Sequence, residues 1–403
     1  MTYTPIHSLR VLYHGMLVGT LALRDRRVWF QYDAAFLNKG LALSPIKLPL
    51  KPEVMVCDDR TFDGLFGLFN DSLPDGWGRL LLDRHMRSQG IAPERLTLLD
   101  RLAHVGHHGM GALVYEPDHS VDDVASINLD LDHLAAESRA VLEGAPETVI
   151  AELLSLNGSS SGARPKIVVG VSPDKEHIIH GTDYLPDGYT HWMIKFTSSH
   201  DPDDNGAIEY AYSLMAKGAG ILMPETYLFP AVNGMGYFGV KRFDRDGHKR
   251  IHMHTISGLL HADHRIPSLD YEDILKATQF LTRSMVDVEA NYRLAVFNVL
   301  AYNRDDHAKN FAFIMNEKGE WSAAPAYDLT FSSGPGGEQS TTIMGEGRHP
   351  DRTHLLALGK KMNIKKAQDI IDQVSQAISR WDEYARMAGV SDESTELIKK
   401  SMG

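Results

Sequence analysis

The stretch Asn303-Arg304-Asp305-Asp306-His307-Ala308-Lys309-Asn310 constrains this chain more than any other. It ends an apolar run over 286–302 that reads as a helix, and it sets Asp305 five places before Asn310. A loop held at both ends with this spacing can offer a carboxylate base and an amide-oxygen metal ligand to one small volume. Lys309 adds a positive charge inside the loop. Downstream, Ala324-Pro325-Ala326-Tyr327-Asp328-Leu329 places a second carboxylate, Asp328, at the expected end of a short strand. Each segment alone also reads as an ordinary acidic loop, so the rest of the chain has to decide.

The chain has 403 residues, enough for two to three domains at ~150 residues each. Hydrophobic residues make up 43% and charged residues 23%, values that allow a large core and exclude global disorder. A net charge of −12 argues against unaided binding to a phosphate backbone, which needs clustered Lys and Arg. The single cysteine, Cys57, permits no intramolecular disulfide and no thiolate zinc site, and it fits a reducing cytoplasm. The apolar residues within 11–23 are broken by His14, Gly15 and Gly19 and are too short for a membrane span. The sequence therefore predicts a soluble, cytoplasmic protein with no membrane partner.

Three regions follow one another. Over 1–120, short alternating runs at 9–45 predict a small antiparallel sheet. Ser72 is expected to cap a helix whose apolar face is Leu80, Leu81, Leu82 and Met86, and the acidic stretch 117–132 marks a boundary. Over 121–245, strands are expected at 167–171 and 191–196 with a turn region at 181–188 between them. A helix over 207–220 capped by Asp203-Asp204-Asn205-Gly206 follows, and then strands at 227–229 and 237–243. Over 246–403 the pattern is mostly helical, at 271–281, 286–302 and 365–387, with glycine-rich 332–347 as the long irregular segment. The fold class is α+β: a β-rich lobe with one helix, then a helical lobe, preceded by an extra β-rich subdomain. That is the build of a two-lobed protein kinase.

Further signals fall in the matching order. Leu156-Asn157-Gly158-Ser159-Ser160-Ser161-Gly162-Ala163-Arg164-Pro165-Lys166 is small, hydroxyl-rich and basic at its end, suited to cradling phosphates with backbone N–H groups. It is not a Walker A motif, and a Gly/Ser linker is its bland reading. Lys195 sits inside an apolar strand, where an ammonium needs an anionic partner or a route to solvent, and Glu209 on the next helix is the candidate partner. Arg-Asp followed by Asn, and then a further Asp, is the order of a kinase catalytic loop and its metal site, although Tyr327-Asp328-Leu329 stands in place of Asp-Phe-Gly. The histidine groups (His252, His254, His261 and His264; His104, His107 and His108) read as structural or surface residues rather than a metal site.

Over nearly its whole length the chain resembles the HipA family of bacterial toxin kinases. The resemblance rests on Ser159-Ser-Ser-Gly-Ala-Arg-Pro-Lys166, His191-Trp-Met-Ile-Lys195-Phe, Arg242-Phe-Asp-Arg245, Asp305-Asp-His-Ala-Lys-Asn310 and Ala326-Tyr-Asp328. Leu73-Pro-Asp-Gly, Val105-Gly and Gly111-Ala-Leu match in the first region. It implies a serine/threonine protein kinase using ATP and Mg²⁺, with Asp305 and Lys309 catalytic and Asn310 and Asp328 as metal ligands. ATP would meet Ser161, Gly162, Ala163, Arg164, Pro165, Lys166, Lys195, His307, Asn310 and Tyr327, with Lys241, Arg242 and Phe243 at the adenine hinge. Ser159 falls at the family's inhibitory autophosphorylation site, with Ser160 and Ser161 as neighbours that could take its place. The implied partners are a HipB-like helix-turn-helix antitoxin, DNA through that antitoxin, and a protein substrate such as an aminoacyl-tRNA synthetase. Asp306 departs from the family, whose best-known members have glycine there. Two other readings stand beside this one: a small-molecule kinase of the aminoglycoside or choline type, and a co-repressor without kinase activity.

Overall fold

The computed structural model describes every residue except 1–2, 122–127, 145–149, 158–161, 182 and 199–200, and only the backbone of residue 335. It contains two compact units. The first is Met1–Asp201 with Gly239–His254 and Gly258–His261, and the second is Pro202–Phe238 with Thr255–Ser257 and Ala262–Gly403.

The first unit begins with the expected antiparallel sheet. Its strands lie in the order Met55–Val56, Arg27–Tyr32, Met16–Arg24, Ser8–Tyr13, Leu113–Glu116. Alternation sends Leu9, Val11, Tyr13, Val28, Phe30 and Tyr32 inward while Ser8, Arg10, Arg27 and Gln31 face water. Phe36, Phe66 and Phe69 cover that inner face, with the Phe30 and Phe69 rings 5.0 Å apart and Tyr32 stacked on Phe36 at 6.0 Å. Each buried aromatic of this kind contributes about 2 kcal/mol at most.

The histidines near 252–261 stitch this core together. His254 joins the Asp71 carboxylate at 2.6 Å and the Ser44 hydroxyl at 2.9 Å. His261 meets Asp59 at 2.9 Å while its Nε2 accepts the Gly67 N–H at 2.9 Å. His252, bonded to the Leu43 carbonyl at 3.0 Å, is so desolvated that its pKa falls from the usual 6.5 to about 4. The unfolded chain takes up that proton first, so His252 costs nothing above pH 6.5. Stability is lost as pH falls from 6.5 to 4, by about 3 kcal/mol at most. Denaturation midpoints across that window, with His252→Gln as the control, are expected to fall more steeply for the unsubstituted chain.

A second sheet in this unit runs Ile178–His180, Lys166–Val171, Thr190–Lys195. All six residues of Lys166–Val171 are buried. The strand Ile178–His180 stands just before the expected turn; two isoleucines between histidines are too short a run to read as a strand. Ser72 does not cap the helix Gly76–Ser88: its hydroxyl accepts from buried Tyr115 at 2.7 Å, and Asp75 is the N-cap. Leu98–Val105, with its Thr97/Asp100 capping box, and Leu131–Leu142, capped by Asp130, are helices beyond those the periodicity predicts.

The second unit is mostly helical. Tyr271–Thr282 and Met285–Leu300 form where expected, each with a side-chain cap, from Asp270 and Ser284. The helix Asn205–Gly218 follows Asp204, but the Asp204 carboxylate does not cap it. It accepts instead from Ser391 N and Oγ, at 3.0 and 2.6 Å, and from Ser394 Oγ at 3.1 Å. The helix read over 365–387 is two, Ala367–Ile378 and Trp381–Ala388. The break at Ser379-Arg380 lets Trp381 turn inward against Tyr212, their rings 5.5 Å apart. Among the described residues no helix is long and apolar enough to cross a membrane.

Candidate active site

The residues expected at the phosphates and the hinge belong to the first unit, and those of the catalytic loop and metal to the second. Ser159, Ser160 and Ser161 lie outside the described residues.

In the first unit, Lys166 and Lys195 are direct partners across the antiparallel pair Lys166–Val171 and Thr190–Lys195. Opposed residues share a face of the sheet. Both are buried, at 4% and 8% exposure. Two buried lysines on one face of the sheet are the residue type that a polyanion site uses. Gly162 has φ +107, and a Cβ there would come within 2.4 Å of Lys166 Nζ, so the ammonium folds under a backbone that only glycine supplies. The turn before the helix Gly76–Ser88 holds this loop: Gly162 N donates to the Asp75 carboxylate, and Trp77 N donates to the Gly162 carbonyl at 3.0 Å. Gly76 is forced as well, since a Cβ would meet the Gly162 oxygen at 2.5 Å. The match of Leu73-Pro-Asp-Gly with the Ser/Gly loop is thus one structural contact. Ala163 is exposed, Arg164 pairs with Asp201 at 3.0 Å, and the Pro165 carbonyl accepts from Phe196 N at 2.8 Å.

At the expected hinge, Lys241 ends a strand and Arg242 N donates to the His191 carbonyl at 2.8 Å. The Arg242 guanidinium is engaged with Asp244 through two bonds of 2.9 and 2.7 Å, so what this residue offers a ligand is backbone. Phe243 lies between them in the chain and is half-buried or better. Arg245 also reaches Asp244 at 2.7 Å, and Gly111 N donates to the same carboxylate at 2.7 Å. Burial alone would raise the Asp244 carboxyl, but Arg242 and Arg245 beside it hold it far below the usual carboxylate range. Arg245 and Arg250 bind the Gly109 and Gly111 carbonyls in addition. The two family-like segments, Gly111-Ala-Leu and Arg242-Phe-Asp-Arg245, are therefore halves of one buried ionic lock.

In the second unit, the helix Met285–Leu300 stops where Tyr302 takes a left-handed φ of 57°, a cost offset by Arg304 lying 4.0 Å over its ring. The loop that follows turns its two adjacent carboxylates opposite ways: Asp305 is exposed and Asp306 fully buried. Asn310 donates from Nδ2 to the Asp305 carbonyl at 2.7 Å, which leaves Oδ1, the hard ligand atom, as its remaining acceptor. Lys309 is buried, and its carbonyl accepts from Tyr327 Oη at 2.5 Å, tying the loop to the residue before Asp328. His307 is partly buried beside His264, with ring centroids 5.4 Å apart. Asp328 is not at a strand end. The strand Trp321–Ala323 ends earlier, Pro325 has no N–H to continue it, and Ala326 N turns to the Leu222 carbonyl at 2.8 Å. Asp328 itself sits at φ 57°, a left-handed conformation costing of order 1 kcal/mol for an ordinary residue and typical of functional sites. Glu209 is buried on the helix Asn205–Gly218. The oriented amide oxygen of Asn310 and the Asp328 carboxylate are donor types that suit a Mg²⁺ ion, which takes few protein ligands and keeps its waters.

Sequence reasoning missed the residues that hold this loop. Asp306 accepts from Tyr271 Oη at 2.6 Å and Gln339 Nε2 at 3.0 Å on one oxygen, and from Ser340 N at 2.9 Å and Thr341 N at 3.1 Å on the other. Burial lifts its carboxyl to about 7 against the pull of these donors. The available signal was the departure at Asp306 itself.

The fold and loop define a mixed α/β protein whose catalytic-type segment sits in its C-terminal portion. Residues 9–116 match the model of the HipA N-terminal domain, and residues 158–381 match that of the HipA-like C-terminal domain. The chain belongs to the HipA family. It is 26% identical over 344 residues to the Sinorhizobium fredii protein named "Putative kinase Y4dM", covering 80% of this chain and 76% of that one. The HipA toxin of Shewanella oneidensis, solved with HipB and operator DNA, superposes with a TM-score of 0.68 at 16% identity over 98% of this chain and 94% of its own. The Helicobacter pylori proinflammatory kinase CtkA gives a TM-score of 0.32 at 14% identity, over 53% of this chain and 93% of its own, and is too remote to bear on the argument.

Proposed function

We propose that this chain is a Mg²⁺- and ATP-dependent serine/threonine protein kinase, with a two-lobed kinase-like core, acting in the cytoplasm as the toxin of a toxin–antitoxin pair. The observation that carries the reading is the loop 305–310, where an exposed Asp305 stands beside an Asn310 whose amide is oriented by the Asp305 carbonyl. In this reading Asp305 takes the proton of the substrate hydroxyl, and Asn310 and Asp328 hold Mg²⁺. Lys166 and Lys195 meet the phosphates, with Glu209 as a partner for Lys195. Lys309 steadies the transferring phosphoryl group, while His307 and Tyr327 border the nucleotide. Lys241, Arg242 and Phe243 form the hinge. A phosphate placed on Ser159 would repel ATP from the loop by charge.

A HipB-like antitoxin is the proposed partner, and DNA is reached only through it; the support is the HipA of Shewanella oneidensis, captured with HipB and operator DNA. The substrate proposed is a translation component such as an aminoacyl-tRNA synthetase. The test is γ-phosphate transfer from ATP into a bacterial lysate by the purified chain and by Asp305→Asn. A labelled protein band that depends on Asp305 supports the reading. No transfer by chain shown by mass to carry no phosphate overturns it in favour of the co-repressor.

Gly162→Ala tests the phosphate loop separately. The added Cβ meets Lys166 Nζ at 2.4 Å, at a φ that alanine disfavours. Mg-ATP affinity measured by calorimetry is expected to fall by about tenfold, the effect of ~1.4 kcal/mol of strain and displaced charge.

A further inference from the structure

Asp306 has four donors, and they come from places far apart in the chain. Tyr271 opens the helix Tyr271–Thr282, and its phenol is itself bonded by Asn298 Nδ2 at 2.9 Å. Asn298 in turn accepts from Asn303 Nδ2 at 2.9 Å. Gln339, Ser340 and Thr341 belong to the segment that returns after Asp328. Thr341 Oγ1 also donates to the Asp306 carbonyl at 2.5 Å, and Ser340 reaches the Arg304 carbonyl with both N, at 3.1 Å, and Oγ, at 3.0 Å. Thr341-Thr342 pairs in parallel with Leu269-Asp270, which anchors the segment to the start of the Tyr271 helix. The glycine-rich stretch 332–347 is thus clamped at 339–341 directly behind the exposed Asp305. Asp306 and Tyr271 have 0% exposure and Thr341 1%, so water does not compete for these bonds.

A structural anchor could lie anywhere along a loop. This one occupies the residue next to the exposed carboxylate, with Asp305 open to solvent and Asp306 fully buried. Any freedom at Asp306 is therefore passed to Asp305 through one peptide plane.

We propose that Asp306 is a positioning residue for phosphoryl transfer, fixing Asp305 by locking residues 339–341 and Tyr271 to the back of the loop. This rests on the kinase reading above and adds to it a residue that touches neither ATP nor substrate. A base displaced by about 1 Å loses up to 10²-fold in rate without weakening the binding of a remote ligand. The effect should fall more heavily on kcat than on nucleotide affinity, in which His307 and Asn310 of the same loop also take part.

The experiment compares the full chain with Asp306→Asn, which keeps an acceptor for the two backbone amides but turns an NH₂ group toward Tyr271 or Gln339. Tyr271→Phe, which removes a single donor, is the milder variant should Asp306→Asn fold poorly. Rates of γ-phosphate transfer to the lysate acceptor are measured against ATP concentration, Mg-ATP binding by calorimetry, and amide exchange over 303–310 and 339–341 by mass spectrometry. For Asp306→Asn the expected result is a kcat lower by about 10- to 100-fold, Mg-ATP affinity within about twofold, and faster exchange in both segments. Tyr271→Phe should shift the same quantities less. Faster exchange with unchanged kcat would make Asp306 an anchor only, and unchanged exchange would remove the clamp; either overturns the proposal alone. No transfer by the unsubstituted chain would overturn the kinase reading and this role with it.

Discussion

Asp244→Ala is expected to lower the stability of the first unit by about 3–5 kcal/mol, a large share of what a domain of this size possesses. The carboxylate lies between Arg242 and Arg245 with side-chain exposures of only 1% and 4%, and it also receives the Gly111 N–H. Removing it takes the Asp244 carboxylate from two buried guanidinium groups, leaving Arg245 with backbone carbonyls, and leaves a buried backbone donor without its acceptor. Urea denaturation followed by tryptophan fluorescence measures the loss. A double-mutant cycle with Arg242→Met separates the ion pair from its desolvation: the pair of changes together should cost less than Asp244→Ala alone. A loss below about 1 kcal/mol for Asp244→Ala would mean that the lock contributes little.

Asp305→Asn should have the largest effect on activity and almost none on folding. General-base contributions run to about 10²–10⁴-fold, and asparagine keeps the shape of the side chain without its basicity. Because Asp305 is exposed, the denaturation midpoint should stay where it is. The same substitution one residue later, at the buried Asp306, is expected to disturb both loop order and rate. The two variants therefore read chemistry and positioning apart. Transfer by Asp305→Asn at more than a tenth of the full rate would mean that another group takes the proton.

The elements that read clearly in the sequence were those whose signal is local. Alternation over 9–45 predicted the first sheet, and the apolar repeat over 286–302 predicted the helix that delivers the catalytic loop. The loop residues themselves were legible because a base and a metal ligand need fixed spacing. What sequence did not reveal depends on partners distant in the chain. Asp204 reads as a helix cap until Ser391, 187 residues on, takes its carboxylate. Ser72 reads likewise, yet its hydroxyl meets Tyr115. Asp306 reads as a second acidic residue in an acidic loop, and only the fold supplies Gln339, Ser340 and Thr341 to bury it. Short-range pattern finds capping residue types; which oxygen they satisfy is decided by tertiary neighbours.

The pairing of Lys166 with Lys195 also divides the chain into places that can change length and places that cannot. Side chains on a strand alternate with a period of two, so the lysines share a face in one register and lose it with any single-residue slip. Insertion or deletion of one residue within Ile167–Val171 would turn one ammonium to the other side of the sheet. The exposed turn at Pro173 and Asp174 lies beyond the ladder, and extra residues there would leave the pair facing each other. A reporter peptide or an affinity tag spliced into this molecule belongs at that turn, and homologues that differ in length should differ there before they differ in the strands.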